Sequence, residues 1–260
     1  MCAYDALSGL LFRRPWFPIK PVFILSCFLL ITNLLTAATY YSNSGDPSVL
    51  TKWWTNTNGT GSHPSNFTTS GDIFVLQSGQ TCATANNKDW TVGSGVTVRV
   101  DGSLSINGVN SDVIINGTII FTNSSSTQVI MAGAGSGNSI TINGTVKTAN
   151  VNGLQGTNCS LIVNAFKKTV TYGASTIFEF NATSNQSTLG LPSSITDLIV
   201  NSTNNVTINS STTITNTLSL TNGILVIPAG MTINITSGNA IAGSGFGNTK
   251  HINTQVNTST

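Results

Sequence analysis

From Val96 onward the chain repeats one short phrase: apolar, small polar, apolar, then a stop. "VTVRV" at 96–100, "LSI" at 104–106, "ITI" at 140–142, "LSL" at 218–220 and "MTINI" at 231–235 all alternate with period two. That period sends successive side chains to opposite faces of an extended strand, so each run predicts a strand with one buried face. β-branched residues dominate the runs and helical spacing is absent. Almost no helix is expected beyond the first forty residues.

The stops are as regular as the strands. Asn107-Gly108, Asn116-Gly117, Asn143-Gly144, Asn152-Gly153 and Asn222-Gly223 follow apolar runs, as does Asp101-Gly102. Asn-Gly accepts positive φ cheaply, which suits both hairpins and the sharp corners of a solenoid. Asn107 and Asn116 are nine residues apart, Asn143 and Asn152 are again nine apart, and the two pairs start 36 residues apart. A fixed offset favours repetition. Pro192 and Pro228 fall only where corners or edges are expected.

Two all-β architectures fit. An antiparallel β-sandwich would also place turns every 8 to 12 residues or so. Corner glycines, asparagines available for stacking along an axis and a poor supply of large core residues favour the parallel β-helix, or β-solenoid. Ahead of the runs lies an irregular segment with Tyr40, Tyr41, Trp53, Trp54, Phe67 and Phe74. A solenoid must cover its first open core face, and a bulky terminal segment does this. The expected organisation is a leader over 1–38, an aromatic N-terminal cap over 39–95 and solenoid repeats over 96–260. The last residues stop in mid-pattern, so the chain reads as a C-terminally truncated fragment.

The leader follows from "PVFILSCFLLITNLL" at 21–35, an apolar run preceded by Arg13, Arg14 and Lys20 and followed by small residues at Thr36 and Ala38. This is the form of a secretory signal cut after Ala38. The run is short of the roughly 20 apolar residues a span needs, and no second one follows, so no membrane span is expected after cleavage. Cys27 lies inside the apolar run, too early for a lipoprotein site.

After Ala38 the chain has seven Lys/Arg and seven Asp/Glu against 29 Asn. A balance so neutral carries no nucleic-acid footprint, and hydroxyls and amides must supply the polar surface. Cys82 and Cys159 remain in an exported chain, either as a disulfide or as two small buried thiols. His63 and His251 stand at no ligand spacing from a cysteine, so no metal or other cofactor is expected.

The words of the chain also carry a likeness. "ATYYSNSGDPSVLTKWWTNTNGTGSHPSNFTTSGDIFVLQSGQT", "VGSGVTVRVDGSLSING" and "LIVNSTNNVTINSSTTITNTLSLTNGILVI" resemble large secreted or cell-surface proteins of the Bacteroidetes. The resemblance implies an adhesin-like β-solenoid of the type IX secretion kind. The C-terminal sorting domain usual in such proteins has no counterpart here, and the resemblance brings no catalytic residues with it.

Catalysis on a β-helix would need paired carboxylates, or acidic clusters with a base. Asp46, Asp72, Asp89, Asp101, Asp112, Glu179 and Asp197 are isolated in sequence, and "AGAGSGNS" at 132–139 lacks the strand-to-helix setting of a phosphate cradle. The chain is therefore expected to be a non-enzymatic surface or extracellular structural protein. Its expected partners are surface glycans or other cell-surface proteins. The alternative is a polysaccharide-binding or polysaccharide-active module, with Trp53 and Trp54 as candidate sugar-stacking rings unless they seal the cap core.

Overall fold

A computed structural model describes residues 37–131, 137–163, 168–236 and 241–255. The expected leader before Ala37, with Cys27, most of "AGAGSGNS" and Lys167 lie outside the described residues. Everything described belongs to a single unit.

The body is a parallel β-solenoid of about seven turns, with strands on three faces. The first turn shows the plan. Ile73–Leu76 lies on the first face, Thr81–Ala83 on the second and Trp90–Val92 on the third. The chain then returns to Thr97–Val100, which pairs in parallel with Ile73–Leu76, and the cycle repeats. Apart from the two-residue pair Tyr41/Ser42 with Trp54/Trp53 in the cap and a bridge between Gly247 and Lys250, the described pairings are parallel. A sandwich of hairpins is thereby replaced by stacked coils. The only helical turn among the described residues is the 3-10 turn Leu50–Lys52.

Alternation builds the core directly. Along the first face, Phe74, Val98, Ile119, Val146, Phe178, Leu198 and Leu218 are in register coil upon coil and all are buried. On the third face Val92, Ile115, Ile142 and Tyr172 form a shorter column. Residues between them face outward, so one apolar stripe two residues wide per face fills the narrow interior.

The coils vary in length. Ile73, Thr97, Thr118, Thr145, Ile177, Asp197 and Thr217 occupy one register position, giving successive turns of 24, 21, 27, 32, 20 and 20 residues. The 36-residue offset of the Asn-Gly pairs is therefore not a turn. Asn107 and Asn116 lie at different corners of one coil, and Asn116 is stacked under Asn143, whose Nδ2 donates to its Oδ1 at 2.8 Å.

The glycines at these corners also have a different reason from the one expected. Gly108, Gly117 and Gly144 have no positive φ. A Cβ on Gly117 would overlap the Val96 carbonyl, and one on Gly144 would overlap that of Gly117. Close approach between coils selects glycine there, whereas Gly153 and Gly223 do adopt positive φ.

At the N-terminal end, Thr39–Ser42 pairs with the edge of Ile73–Leu76 and is covered in turn by Trp53–Trp54. This shields the first-face edge. Regular coils begin at Ile73, so residues 73–95, grouped with the cap by composition, are already body.

Candidate functional site

The cap aromatics pack inward. Trp53 is 0% exposed, stacks on Trp90 at 5.7 Å and meets Phe74 edge-on at 5.1 Å. Its Nε1 donates to the Pro47 carbonyl at 2.9 Å. Tyr40 stacks on Phe74 at 5.4 Å, and burial, aided by the nearby Asp72 charge, pushes its phenol pKa up. Trp53 thus seals the first coil and has no face left for a sugar ring. Trp54 differs: it is half-buried, opposite Tyr41 on the neighbouring strand, with the His63 ring 3.9 Å away. His63 is itself held through Nδ1 at 2.7 Å from the Trp53 carbonyl oxygen.

Cys82 and Cys159 are not bridged; both are free and buried. Cys82 lies in the first coil, and the ladder Cys82, Leu104, Val129, Leu161 separates it by three strand spacings from the coil holding Cys159. Three spacings are about 14 Å, twice the roughly 7 Å Cα reach of a disulfide. Burial raises both thiol pKa values; for Cys82 a hydrogen bond from Ser42 acts against this, and the Asp46 charge adds to it.

All seven carboxylates accept hydrogen bonds, Asp46 within the cap and the others within or between neighbouring strands of the stack. Asp46 accepts from Ser48 N, Asp72 from Ala38 N and Asp89 from Asp112 N, each at 2.9 Å. Asp112 accepts Ser139 N at 2.9 Å and Ser139 Oγ at 2.7 Å. Asp101 binds Arg99 and Thr122, and Asp197 binds Asn216 and the Thr217 amide. Glu179, only 6% exposed, sits between Lys147 at 2.8 Å and Asn201 at 2.8 Å on the outer side of the first face. Glu179 and Asp197 are diagonal neighbours there, but each is engaged by its own partners. Among the described residues no three His, Cys, Asp or Glu side chains come together as a metal site.

Among the buried polar side chains that sequence reasoning missed are Gln128, Gln186 and Lys168. Gln128 and Gln186 each cross a corner: their Oε1 atoms accept from Asn123 N at 2.9 Å and Ala182 N at 3.0 Å. The Nε2 of Gln128 donates to the Val100 carbonyl, and that of Gln186 to Thr148 O at 2.7 Å and Asn150 O at 2.9 Å. Lys168 is 8% exposed and donates to Ile106 O at 3.2 Å, and desolvation lowers its pKa. A single Gln or Lys in a polar stretch carries no sequence signal that it will turn inward.

A cleft lies where the stack is interrupted, between the fourth and fifth coils. Residues 151–155 form an extra layer on the second face: Ser187 N donates to Val151 O, Leu154 N to Leu189 O and Leu161 N to Leu154 O. On the third face nothing among the described residues fills the corresponding level. Thr169–Tyr172 ends one four-stranded sheet, and among the described residues it does not pair with residues 194–195 of the next coil. A cleft of about 640 Å³ remains, lined by Tyr172, Phe178, Gln155, Pro192, Ser194 and Thr196 among others. Tyr172 meets Phe178 edge-on at 5.1 Å, and its hydroxyl is buried with no hydrogen-bond partner. Burial raises the Tyr172 pKa.

Comparison with family models, with curated proteins and with solved structures finds no match for this chain. The class defined by the geometry is a β-solenoid. Among the described residues, no helix is long and apolar enough to cross a membrane.

Proposed function

We propose that the chain is an exported, non-enzymatic structural or adhesin-like solenoid of the cell surface or extracellular space, of the kind its sequence resembles. The observation that carries this reading is the use of all seven carboxylates as hydrogen-bond acceptors within the cap and within or between coils. A general acid or nucleophile must instead be placed against a substrate. The outer faces fit the same role. Thr81 meets Ser103 at 2.9 Å, Asn143 meets Asn116 at 2.8 Å, and Ser187 meets Asn209 at 2.5 Å, neutral pairs that link neighbouring coils on the outer surface. The apolar run at 21–35 supports export.

The test is fractionation and protease shaving of the producing cells, together with incubation of residues 37–260 with a panel of polysaccharides. Surface-exposed protein and no new reducing ends or unsaturated products are expected. Turnover that disappears in Glu179→Gln or Asp197→Asn would overturn the reading. The polysaccharide-binding alternative rests on Trp54, the one cap tryptophan with exposed surface. Glycan binding lost in Trp54→Ala, with unchanged thermal unfolding, would favour it.

A further inference from the structure

The cleft between the fourth and fifth coils has the features of an unfilled strand position. Thr169 N donates to Asn138 O and Gly173 N to Ile142 O, both toward the third coil. In a parallel ladder alternate residues turn their N–H and C=O to opposite neighbours, so Val170 and Tyr172 turn theirs toward the cleft. On the other lip, Ser193 O accepts from Thr213 N of the sixth coil, which leaves Ser194 facing the cleft. Two strand edges thus face each other across a gap, and no pairing is formed between them among the described residues.

The chain supplies a gauge for the gap. On the second face the same two coils are held apart by one added backbone layer, with Leu161 N bonded to Leu154 O, and Leu154 N bonded to Leu189 O at 2.8 Å. Two strand spacings are about 9.6 Å, which is the room one extended strand needs. Toward the first face the gap closes, where Thr196 Oγ1 donates to Ala174 O. The slot is bounded at one end by the inserted layer, where Gln155 meets Gly190, and at the other by Thr196.

We propose that this slot binds a short, extended, uncharged peptide segment of another polypeptide, which adds a β-strand between the two lips. The added strand satisfies the backbone groups of Val170, Tyr172 and Ser194, as edge-strand recognition does elsewhere. The lining contains no charged side chain among the described residues, which selects a neutral segment. Its inward side chain rests on Tyr172 and Phe178, which line the cleft. The site requires neither export nor a scaffold role.

The probe is the capped hexapeptide SITING, the chain's own 139–144, whose strand naturally pairs with Thr169–Tyr172. Amide-resolved hydrogen exchange of residues 37–260 is followed with the peptide at millimolar concentration. At least tenfold slower exchange at Val170, Tyr172 and Ser194 is expected. The proline version SIPING, which lacks one donor, should protect them far less. Ser194→Pro places a ring in the slot at an amide that faces it and should abolish binding. Unchanged exchange with peptide, equal binding of SIPING, or protection of the same amides by cellohexaose in place of peptide would each overturn the proposal.

Discussion

Gln128 and Gln186 occupy equivalent corners two coils apart, and each joins its own loop to the coil beneath through one amide. Removing either side chain leaves one backbone N–H without its partner, Asn123 N or Ala182 N, while the carbonyls of Val100, Thr148 and Asn150 keep other donors. Gln128→Ala and Gln186→Ala are each expected to lose about 1–3 kcal/mol, the cost of one orphaned buried group. Chemical denaturation should show lower midpoints with unchanged slopes. Tyr172 adds a pH dependence. Its folded pKa is raised, so the stability it contributes is whole below its unfolded value of 10.0 and declines as pH rises above that value. In that range only the unfolded phenol ionises, and the loss is about 1.4 kcal/mol per pH unit. Tyr172→Phe should therefore flatten the fall in stability above pH 10. The thiols of Cys82 and Cys159 act in the same direction from their ordinary value of 9.0. Lys168, with its lowered pKa, acts in the opposite one.

At the scale of the strand and corner, the Asn-Gly steps show how a residue pair can be read correctly for position and wrongly for cause. Gly117 and Gly144 stand one above the other because neighbouring carbonyls occupy the space a Cβ would need. Gly117→Ala is expected to cost about 3 kcal/mol through overpacking against backbone that cannot yield. Gly247 has open space around it and no positive φ, so Gly247→Ala should be neutral or slightly stabilising. Thermal unfolding of the two variants side by side checks the contrast. The strands themselves were legible: period-two alternation located the runs at 96–100, 140–142 and 218–220. The columns they form were not, because register between coils depends on how many residues each corner absorbs.

Over the whole molecule, stability should behave as a sum of coil and nearest-neighbour terms. Thr118 and Thr145 hold one register position, so deleting residues 118–144 removes a single turn and joins Gly117 to Thr145. The shortened chain is expected to keep its β circular dichroism and to unfold at a lower temperature, with a smaller denaturant slope for its smaller buried surface. Aggregation or loss of β signal would show that long-range order, not neighbour contact, holds the stack. The sequence by itself determined the all-β class, the outward run of Ser, Thr and Asn and the aromatic cap, because side-chain alternation and local backbone preference are properties of adjacent residues. The solenoid prevailed over the sandwich only through parallel register, which is set between residues 20 to 32 positions apart. Tertiary structure alone decided that Trp53 is sealed while Trp54 is not, that Cys82 and Cys159 stand coils apart, and that an inserted layer at 151–155 leaves an unpaired slot beside Tyr172. These depend on what lies one coil above or below, and variable corner lengths erase that distance from the linear spacing.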